Sequence, residues 1–376
     1  MPPGESLSEL GRLARTAGAT VVGQTLQRRR HPDPATYVGA GKVEEIRAAR
    51  AGTDYSLVIF DEQLSPAQQL RLESALGVKV LDRSALILDI FAGRARTREA
   101  ALQVELAQHE YLLPRLRGQW QHLERLEGAI GSRGPGESQL ETDRRLIGAR
   151  ITRLKRQIEG VRRQRALHRR RRERTGVPVV ALVGYTNAGK SSLMRALAGA
   201  DVLVADAPFA TLDPVTRRVV TEAGAFLLTD TVGFIQKLPA QLVSAFRATL
   251  EELESADLLL HVVDVTSPAM QAQVETVLRT LAELGLAELP VLTVLNKADG
   301  LTRADGTPVQ SEAELAALAI ANPAAGRDEG ALVVSALRGL GLDALRRRIF
   351  FEVLGEVLGE AVGEPLAVPA GARPAG

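Results

Sequence analysis

The feature that most constrains this chain is a glycine-rich loop that joins an apolar run to a helical stretch. The run Val179-Val180-Ala181-Leu182-Val183 is rich in β-branched residues and suits a buried parallel strand. The loop that follows reads Gly184-Tyr185-Thr186-Asn187-Ala188-Gly189-Lys190-Ser191-Ser192, which is G-x-x-x-x-G-K-S. Glycines at these positions let backbone N–H groups close around phosphates. The order strand, loop and helix therefore predicts a phosphate-binding loop in an α/β domain.

The polar residues of this loop have separate expected tasks. Lys190 is expected to contact the β and γ oxygens of a nucleotide, and the Ser191 hydroxyl is expected to bind Mg²⁺. A second match, Gly39-Ala40-Gly41-Lys42, lacks both the first glycine and the Ser or Thr after the lysine. We interpret it as a turn into a helix.

An acidic motif follows a second apolar strand. Phe226-Leu227-Leu228-Thr229 leads into Asp230-Thr231-Val232-Gly233, where Asp230 is expected to hold Mg²⁺ through water and the Gly233 N–H to contact the γ-phosphate. Between the two motifs lies Phe209-Ala210-Thr211, whose threonine is expected to close over Mg²⁺. Thr216 is a less favoured alternative for that task.

A third motif predicts which base is bound. The strand-like run Pro290 to Leu295 ends in Asn296-Lys297-Ala298-Asp299. A carboxylate that accepts two N–H groups matches guanine, whereas the exocyclic amine of adenine faces the wrong way. The later Val333-Val334-Ser335-Ala336 is expected to contact guanine O6 through its backbone. GTP is therefore preferred over ATP.

These motifs define the predicted nucleotide site. The residues expected to bind nucleotide are Gly184, Tyr185, Thr186, Asn187, Ala188, Gly189, Lys190, Ser191, Ser192, Phe209, Ala210, Thr211, Asp230, Thr231, Val232, Gly233, Asn296, Lys297, Asp299, Ser335 and Ala336. The metal ligands among them are Ser191, Thr211 and Asp230, and the residues expected to act in hydrolysis are Lys190, Thr211 and Gly233.

The length of 376 residues suits two or three domains. We predict an N-terminal α/β domain over residues 1–95, with strands at Thr20–Leu26, Ser56–Phe60 and Val78–Leu81. A helical arm over 96–175 follows, with its first helix from Thr97 to Glu127 and kinked at Pro114. A P-loop GTPase domain with a mainly parallel sheet flanked by helices is expected over 176–360, and a disordered tail over 361–376.

The arm is expected to be a long antiparallel helical hairpin, because apolar residues recur in both halves with heptad spacing. Its Gly-rich tip carries Arg133. From Arg144 to Arg174 there are fourteen basic residues against two acidic ones, although the net charge of the whole chain is only +2. Such a concentration is typical of a surface that binds a phosphate backbone. The expected RNA contacts are Arg133, Arg162, Arg163, Arg165, Arg169, Arg170, Arg171 and Arg172.

Composition excludes several other classes. The chain has no cysteine, which rules out disulfides and thiolate metal sites and fits a cytoplasmic protein. Its apolar runs are too short to span a bilayer, and its first residues do not resemble a signal peptide. No metal beyond nucleotide-bound Mg²⁺ is expected.

Taken together, the motifs resemble those of the HflX family of translation-factor-related GTPases. The resemblance also rests on Tyr37-Val38-Gly39-Ala40-Gly41-Lys42, on Asp61-Glu62-Gln63-Leu64-Ser65-Pro66, on Asp82-Arg83, and on Gly131 to Glu141. It implies a cytoplasmic GTPase that binds the large (50S) ribosomal subunit and its RNA, and that splits or rescues stalled ribosomes. A monomer in solution is expected.

Two features of hydrolysis stay open at the sequence level. Ras-like GTPases place a glutamine directly after D-x-x-G, but this chain has Phe234 there, which cannot orient water. We therefore expect slow intrinsic turnover that a partner stimulates, unless another residue of the chain substitutes. Asn187 resembles the asparagine of GTPases that use K⁺, so K⁺ is a candidate cofactor.

The alternative function is a GTP-dependent switch that acts on a protein through a coiled-coil arm. A second nucleotide site in the N-terminal domain has no motif in its favour.

Overall fold

The computed structural model describes residues 2–116, 135–173, 176–199, 208–209, 212, 214–221, 224–237, 253–301, 311, 314 and 330–362. The N-terminal elements are α1 (Pro3–Thr16), α2 (Ala40–Thr53), β1 (Leu57–Phe60), α3 (Pro66–Leu76), β2 (Lys79–Asp82) and α4 (Arg83–Arg94). Strands β1 and β2 are parallel neighbours. Helix α2 begins directly after Gly39, as expected for a turn into a helix.

Local sequence explains how these helices begin. The Ser65 side chain accepts a hydrogen bond from Gln68 N while Gln68 Oε1 accepts one from Ser65 N, which is a capping box at the start of α3. The Asp82 carboxylate accepts a hydrogen bond from Ala85 N at the start of α4. A polar cap thus starts the helix that follows each of the two parallel strands.

The strand predicted at Thr20–Leu26 is wrong, because this segment forms no backbone ladder. Its polar side chains instead bond to the start of α2: Gln27 Oε1 accepts a hydrogen bond from Gly39 N, and Thr25 bonds to Glu45. Val22 and Leu26 are exposed. The apolar run therefore covers the domain from outside and is not a buried strand.

Helices α5 (Arg98–Leu112) and α6 (Pro135–Glu173) lie within the region predicted to form the arm. Helix α5 ends two residues before Pro114, since a proline lacks an N–H and clashes with the preceding turn. The predicted continuous helix to Glu127 is therefore interrupted, and residues 117–134, including the tip, lie outside the described residues. The apolar contact between the helices joins Leu102 and Leu106 to Ile151, Leu154 and Ile158.

The antiparallel hairpin is not confirmed. Glu105 pairs with Arg150 at 2.6 Å, and Glu110 pairs with Lys155 at 2.8 Å. These ion pairs lie beside the apolar contact and join α5 to α6.

The second half of the chain forms a six-stranded sheet. Its elements are β3 (Val179–Gly184), α7 (Lys190–Ala198), β4 (Val215–Thr221), β5 (Gly224–Asp230), β6 (Leu258–Asp264), α8 (Met270–Glu283), β7 (Val291–Asn296), β8 (Leu332–Val333) and α9 (Leu342–Val362). The strand order is β4-β5-β3-β6-β7-β8, and every neighbouring pair except β4 and β5 is parallel. This is the predicted mainly parallel sheet flanked by helices. Helix α9 extends into the predicted tail, of which residues 363–376 lie outside the described part.

One hydrophobic core joins the two halves of the chain. Leu13, Ile87 and Phe91 from the N-terminal helices belong to the same buried cluster as Phe209 and Phe234 of the second half. The rings of Phe91 and Phe209 meet edge to face with centroids 4.5 Å apart. The carboxyl ends of the central strands therefore lie against the N-terminal domain.

Candidate nucleotide site

The glycine-rich loop leaves β3 at Gly184 and enters α7 at Lys190. Gly189 adopts φ 92°, and a Cβ placed there would lie 2.3 Å from Asn296 Nδ2. Both facts require glycine at this position. Lys190 Nζ donates hydrogen bonds to Gly184 O at 3.1 Å and to Tyr185 O at 2.9 Å, so the lysine closes the loop on itself.

The charge of Lys190 is held in a buried position. Burial lowers the pKa of its ammonium group to about 8, and the nearby Asp230 carboxylate opposes that shift. Below pH 8 the group is charged and lies where phosphate oxygens are expected. A buried ammonium ion without an anionic ligand is costly, so this site favours occupation by an anion.

Ser191 and Asp230 form the candidate Mg²⁺ site. Asp230 ends β5 beside Leu182 of β3, is fully buried, and accepts a hydrogen bond of 2.6 Å from Ser191 Oγ. Two oxygen donors next to a phosphate loop suit Mg²⁺, which completes its octahedron with phosphates and water. Within the described ranges, no three His, Asp or Glu side chains meet as a separate metal site. Thr211, the third predicted ligand, and Ala210 lie outside those ranges.

The segment after Asp230 lies directly on the phosphate loop. Thr186 N donates to Phe234 O at 2.7 Å, and Phe234 N donates to Gly184 O at 3.0 Å. A Cβ placed on Gly233 would lie 2.8 Å from Thr186 Cα and 3.0 Å from Lys190 Nζ. Gly233 therefore packs against the phosphate loop beside Lys190, and only glycine fits there. The Thr231 hydroxyl, in contrast, donates a hydrogen bond to Leu182 O inside the sheet.

Phe209 connects the loop to the N-terminal domain. Its N–H donates to the Thr186 hydroxyl at 3.1 Å, while its ring is buried against Phe91. Phe234 is also buried, with 4% of its surface exposed, so its side chain does not face a nucleotide. Both phenylalanines thus act as apolar anchors for segments that border the phosphate loop.

The base-recognition motif is assembled around the end of β7. Asn296 Nδ2 donates to Ala188 O at 3.0 Å, and Asn296 Oδ1 accepts a hydrogen bond from Ala336 N at 3.1 Å. Ser335 Oγ donates to Asp299 Oδ1 at 2.6 Å. The structure thus brings the predicted base-binding residues of two separate motifs next to the phosphate loop.

Sequence reasoning missed a polar network between this site and the N-terminal domain. The Tyr185 hydroxyl donates to Glu9 Oε1 at 2.7 Å, and the other Glu9 oxygen pairs with Arg83. Burial, together with the charge of Glu9, raises the pKa of Tyr185. The fully buried carboxylate of Glu9 is thereby satisfied from both domains.

A second contact of this network lies just beyond Gly233. Lys237 Nζ pairs with Asp61 at 2.8 Å and with Glu62 at 2.5 Å. Burial alone would lower the pKa of Lys237, but the two carboxylates outweigh it and raise the pKa. Asp61, Glu62 and Arg83 had drawn attention only as part of a family resemblance, and no periodicity links them to Lys237.

The candidate RNA-binding residues are only partly placed. Arg162 and Arg163 lie on α6 near Glu159, and 79% of the Arg163 side chain is exposed. Arg165, Arg169, Arg170, Arg171 and Arg172 belong to the same helix, but their side chains lie outside the described residues, as does Arg133. Across the part of the chain that the structure describes, none of the helices combines the length and apolar character that crossing a bilayer requires.

Comparison with known proteins matches three families in succession along the chain. Residues 4–92 match the family described as GTP-binding GTPase N-terminal, residues 94–172 match GTP-binding GTPase Middle Region, and residues 179–297 match 50S ribosome-binding GTPase. The last match contains the phosphate loop, the Asp230 motif and part of the base-recognition motif.

Relatives of known name are similar over most of their length. The GTPase HflX of Caldanaerobacter subterraneus is 52% identical over 296 residues, which is 78% of this chain and 69% of that protein. The GTPase HflX of Escherichia coli is 49% identical over 298 residues, covering 79% of this chain and 70% of that protein. A crystal structure of SsGBP in complex with GDP covers 94% of this chain and 96% of its own, with 26% identity and a TM-score of 0.50.

Proposed function

The chain belongs to the HflX family of GTPases and hydrolyses GTP, and we propose that it does so while bound to the large (50S) ribosomal subunit. The observation that carries the proposal is the meeting of three motifs at one sheet edge. The Lys190 loop, the Ser191–Asp230 pair and the Asn296 motif lie together there, in a chain that matches a 50S ribosome-binding GTPase family.

In this proposal each end of the nucleotide has its own residues. Asp299 accepts the N–H groups of guanine, while the Ala336 backbone contacts its carbonyl oxygen. Lys190 contacts the β and γ oxygens, and the Gly233 N–H contacts the γ-phosphate. Ser191 and Asp230 hold Mg²⁺, which supplies neutralisation of charge on the phosphate oxygens. The site therefore recognises and positions GTP.

The intrinsic turnover is proposed to be slow. Phe234 occupies the position of the usual glutamine, and its ring is buried in the core shared by the two domains. Without a polar group there, the attacking water is poorly oriented. A partner that orders the segments around Thr211 and Gly233 would then stimulate hydrolysis.

K⁺ is proposed as a second cation. Asn187 adopts φ 62° inside the phosphate loop, and in this proposal its side-chain oxygen binds the cation. A monovalent cation there would neutralise charge between them. Equal turnover in K⁺ and Na⁺ at matched ionic strength would remove this part of the proposal.

The partner surface is proposed to be the basic helix α6, with ribosomal RNA as its ligand. Charge complementarity supports it, since Arg163 is exposed and a run of arginines follows in the same helix. Splitting or rescue of stalled ribosomes is the biological consequence that we propose. A cytoplasmic monomer fits that task. Membership of the HflX family and the match to a 50S ribosome-binding GTPase family favour this function over a coiled-coil switch acting on a protein.

The deciding experiment is GTP turnover in K⁺ buffer with and without isolated 50S subunits. We expect strong stimulation, lost in Lys190→Ala. Replacement of Arg169, Arg170, Arg171 and Arg172 by Glu should remove the stimulation but leave the intrinsic rate, and binding of the wild type should weaken steeply with salt. Absence of stimulation with intact GTP binding would contradict the ribosomal partner and return weight to a protein target.

A further inference from the structure

Asp264 ends β6 directly beside Asn296, the first residue of the base-recognition motif. Its Oδ2 forms an ion pair of 2.8 Å with Nζ of Lys297, the next residue of that motif. The side chains are 17% and 32% exposed, respectively, so the pair is largely shielded from water. No expectation from the sequence had assigned Asp264 a role.

The second oxygen of Asp264 is also fixed. Oδ1 accepts hydrogen bonds from Thr266 N at 3.0 Å and from Thr266 Oγ1 at 2.6 Å. Both oxygens of the carboxylate thus have partners, and its orientation is set before any ligand arrives. A carboxylate held in this way offers its Oδ2 to Lys297 in one fixed orientation.

Thr266 also lies close to Gly300, the residue that follows the base-recognition motif. A Cβ placed on Gly300 would lie 2.9 Å from Thr266 Cγ2. Gly300 directly follows Asp299, whose carboxylate is already held by Ser335. Thr266 therefore bonds to Asp264 through its hydroxyl and backbone N–H, while its methyl group lies beside the residue that follows Asp299.

A lysine side chain loses much of its rotamer freedom when it is immobilised. If Lys297 were mobile in the free protein, nucleotide binding would have to overcome that loss. The ion pair orders Lys297 in the absence of a ligand, and a Cβ placed on Gly189 of the phosphate loop would lie 4.0 Å from the lysine Cε. The alkyl chain is thereby set between the base site and the phosphate site.

We propose that Asp264, oriented by Thr266, is a positioning residue that holds Lys297 in the conformation that receives guanine. This inference rests on the proposed guanine site and names the group that preorganises it. It contributes equally to GTP and GDP, because the base is common to both. Asp264 does not touch the phosphates, so it acts on nucleotide affinity and not on the hydrolytic step.

The first test is Asp264→Asn, which keeps the shape and an acceptor for Thr266 but removes the negative charge. Immobilising one long side chain is worth about a threefold to tenfold change in affinity. We expect Kd for GDP and KM for GTP to rise by a similar factor within that range, with turnover at saturating GTP unchanged. A general loss of structure would also lower the turnover at saturating GTP and the unfolding temperature.

A double-mutant cycle separates positioning from a direct effect of charge. Lys297→Met retains an apolar stem and removes the partner of Asp264. In that background Asp264→Asn should no longer change Kd for GDP. The matched control is Asp257→Asn at the opposite end of β6, where the carboxylate accepts a hydrogen bond from Val179 N far from the base. That control should leave Kd for GDP unaltered.

The inference is overturned if Asp264→Asn binds GDP as tightly as the wild type. It is also overturned if Asp264→Asn raises Kd for GDP by the same factor in the Lys297→Met background as in the wild type. Failure of the underlying guanine site has a different signature. In that case the wild type would not prefer GDP over ADP, and Asp299→Asn would leave the base preference unchanged. Measuring these variants together keeps the two outcomes apart.

Discussion

At the base end of the nucleotide site, the contacts that orient the motif come from the same sheet domain. Asn296, Lys297 and Asp299 are held by Ala188, Asp264 and Ser335. At the phosphate end, the neighbouring segments are held from the N-terminal domain. Glu9 bonds to Tyr185, Phe91 packs on Phe209, and Asp61 pairs with Lys237.

This difference separates two tasks within one site. The base is the same in GTP and GDP, and the residues that recognise it are fixed within one domain. The γ-phosphate distinguishes GTP from GDP, and the segments expected to contact it are attached to a second domain. Affinity for guanine is therefore expected to depend on the sheet domain, while the response to the γ-phosphate is expected to involve both domains.

The largest expected effect comes from the lysine at the phosphate end. Lys190→Ala removes the charged donor that faces the phosphate oxygens, and we expect turnover to fall by about 100-fold to 1000-fold. Steady-state phosphate release measures it. Lys42→Ala, in the second glycine–lysine sequence, is the matched control and should keep wild-type turnover. A loss of activity in Lys42→Ala would contradict the assignment of a single phosphate loop.

The next effect concerns the base end alone. Asp299→Asn removes a carboxylate that accepts two N–H groups, and we expect GTP affinity to fall by about 100-fold, since each charged hydrogen bond contributes about 1.5–3 kcal/mol. Xanthosine triphosphate, which carries a carbonyl in place of the amino group, should gain affinity. Competition binding measures both changes. Retained preference for GTP would show that another group reads the base.

A smaller effect tests the attachment of the phosphate loop to the N-terminal domain. Tyr185→Phe removes the hydroxyl that bonds to buried Glu9 and accepts from Gln236 N. We expect the free energy of unfolding to fall by about 1–3 kcal/mol. Tyr55→Phe, which loses one bond to Ile46 O, should cost about 0.5–1.5 kcal/mol. Denaturant unfolding would contradict the prediction if Tyr185→Phe cost less than this control.

The smallest effect is a pH dependence confined to the phosphate end. The folded pKa of Lys190 is about 8, below its ordinary value of 10.5. As the pH rises through 8, the free protein loses the charge that binds phosphate, so Kd for GDP should rise by about fourfold between pH 7.0 and 8.5. Isothermal titration measures this, and the Lys190→Arg variant should show a flat profile. A flat wild-type profile would contradict the assigned cause.

The lowered pKa of Lys190 has the opposite effect on the stability of the folded protein without nucleotide. Between pH 8 and 10.5 the unfolded chain binds a proton at Lys190 that the folded chain does not. The free energy of unfolding therefore increases as the pH rises from 8 to 10.5. Affinity and stability are expected to move in opposite directions there.

The sequence predicts the motifs of both ends of the site but not the contacts that attach the phosphate end to the N-terminal domain, for a physical reason. Strand, loop and helix signals are local, so the positions of Lys190, Asp230 and Asn296 follow from runs of apolar residues and short motifs. The contacts of Tyr185 with Glu9 and of Lys237 with Asp61 join distant segments, and neither periodicity nor spacing encodes them. They could be found only once the fold was known.

The N-terminal errors have the same origin. The apolar run at Thr20–Leu26 suits a strand, but strand formation requires a neighbouring backbone, and the run bonds to α2 through side chains instead. Heptad spacing predicts that α5 and α6 pack together, which they do. Heptad spacing carries no information on their relative direction, because the spacing reads the same along a helix in either direction.

The core shared between Phe91 and the pair Phe209 and Phe234 has a consequence for biosynthesis. Translation proceeds at about 5–20 residues per second, so on the order of ten seconds separates the synthesis of Phe91 from that of Phe234. During that interval the first domain carries an apolar face with no cover. The nascent chain completes its first domain only when residues beyond 200 have emerged, although that domain is made first.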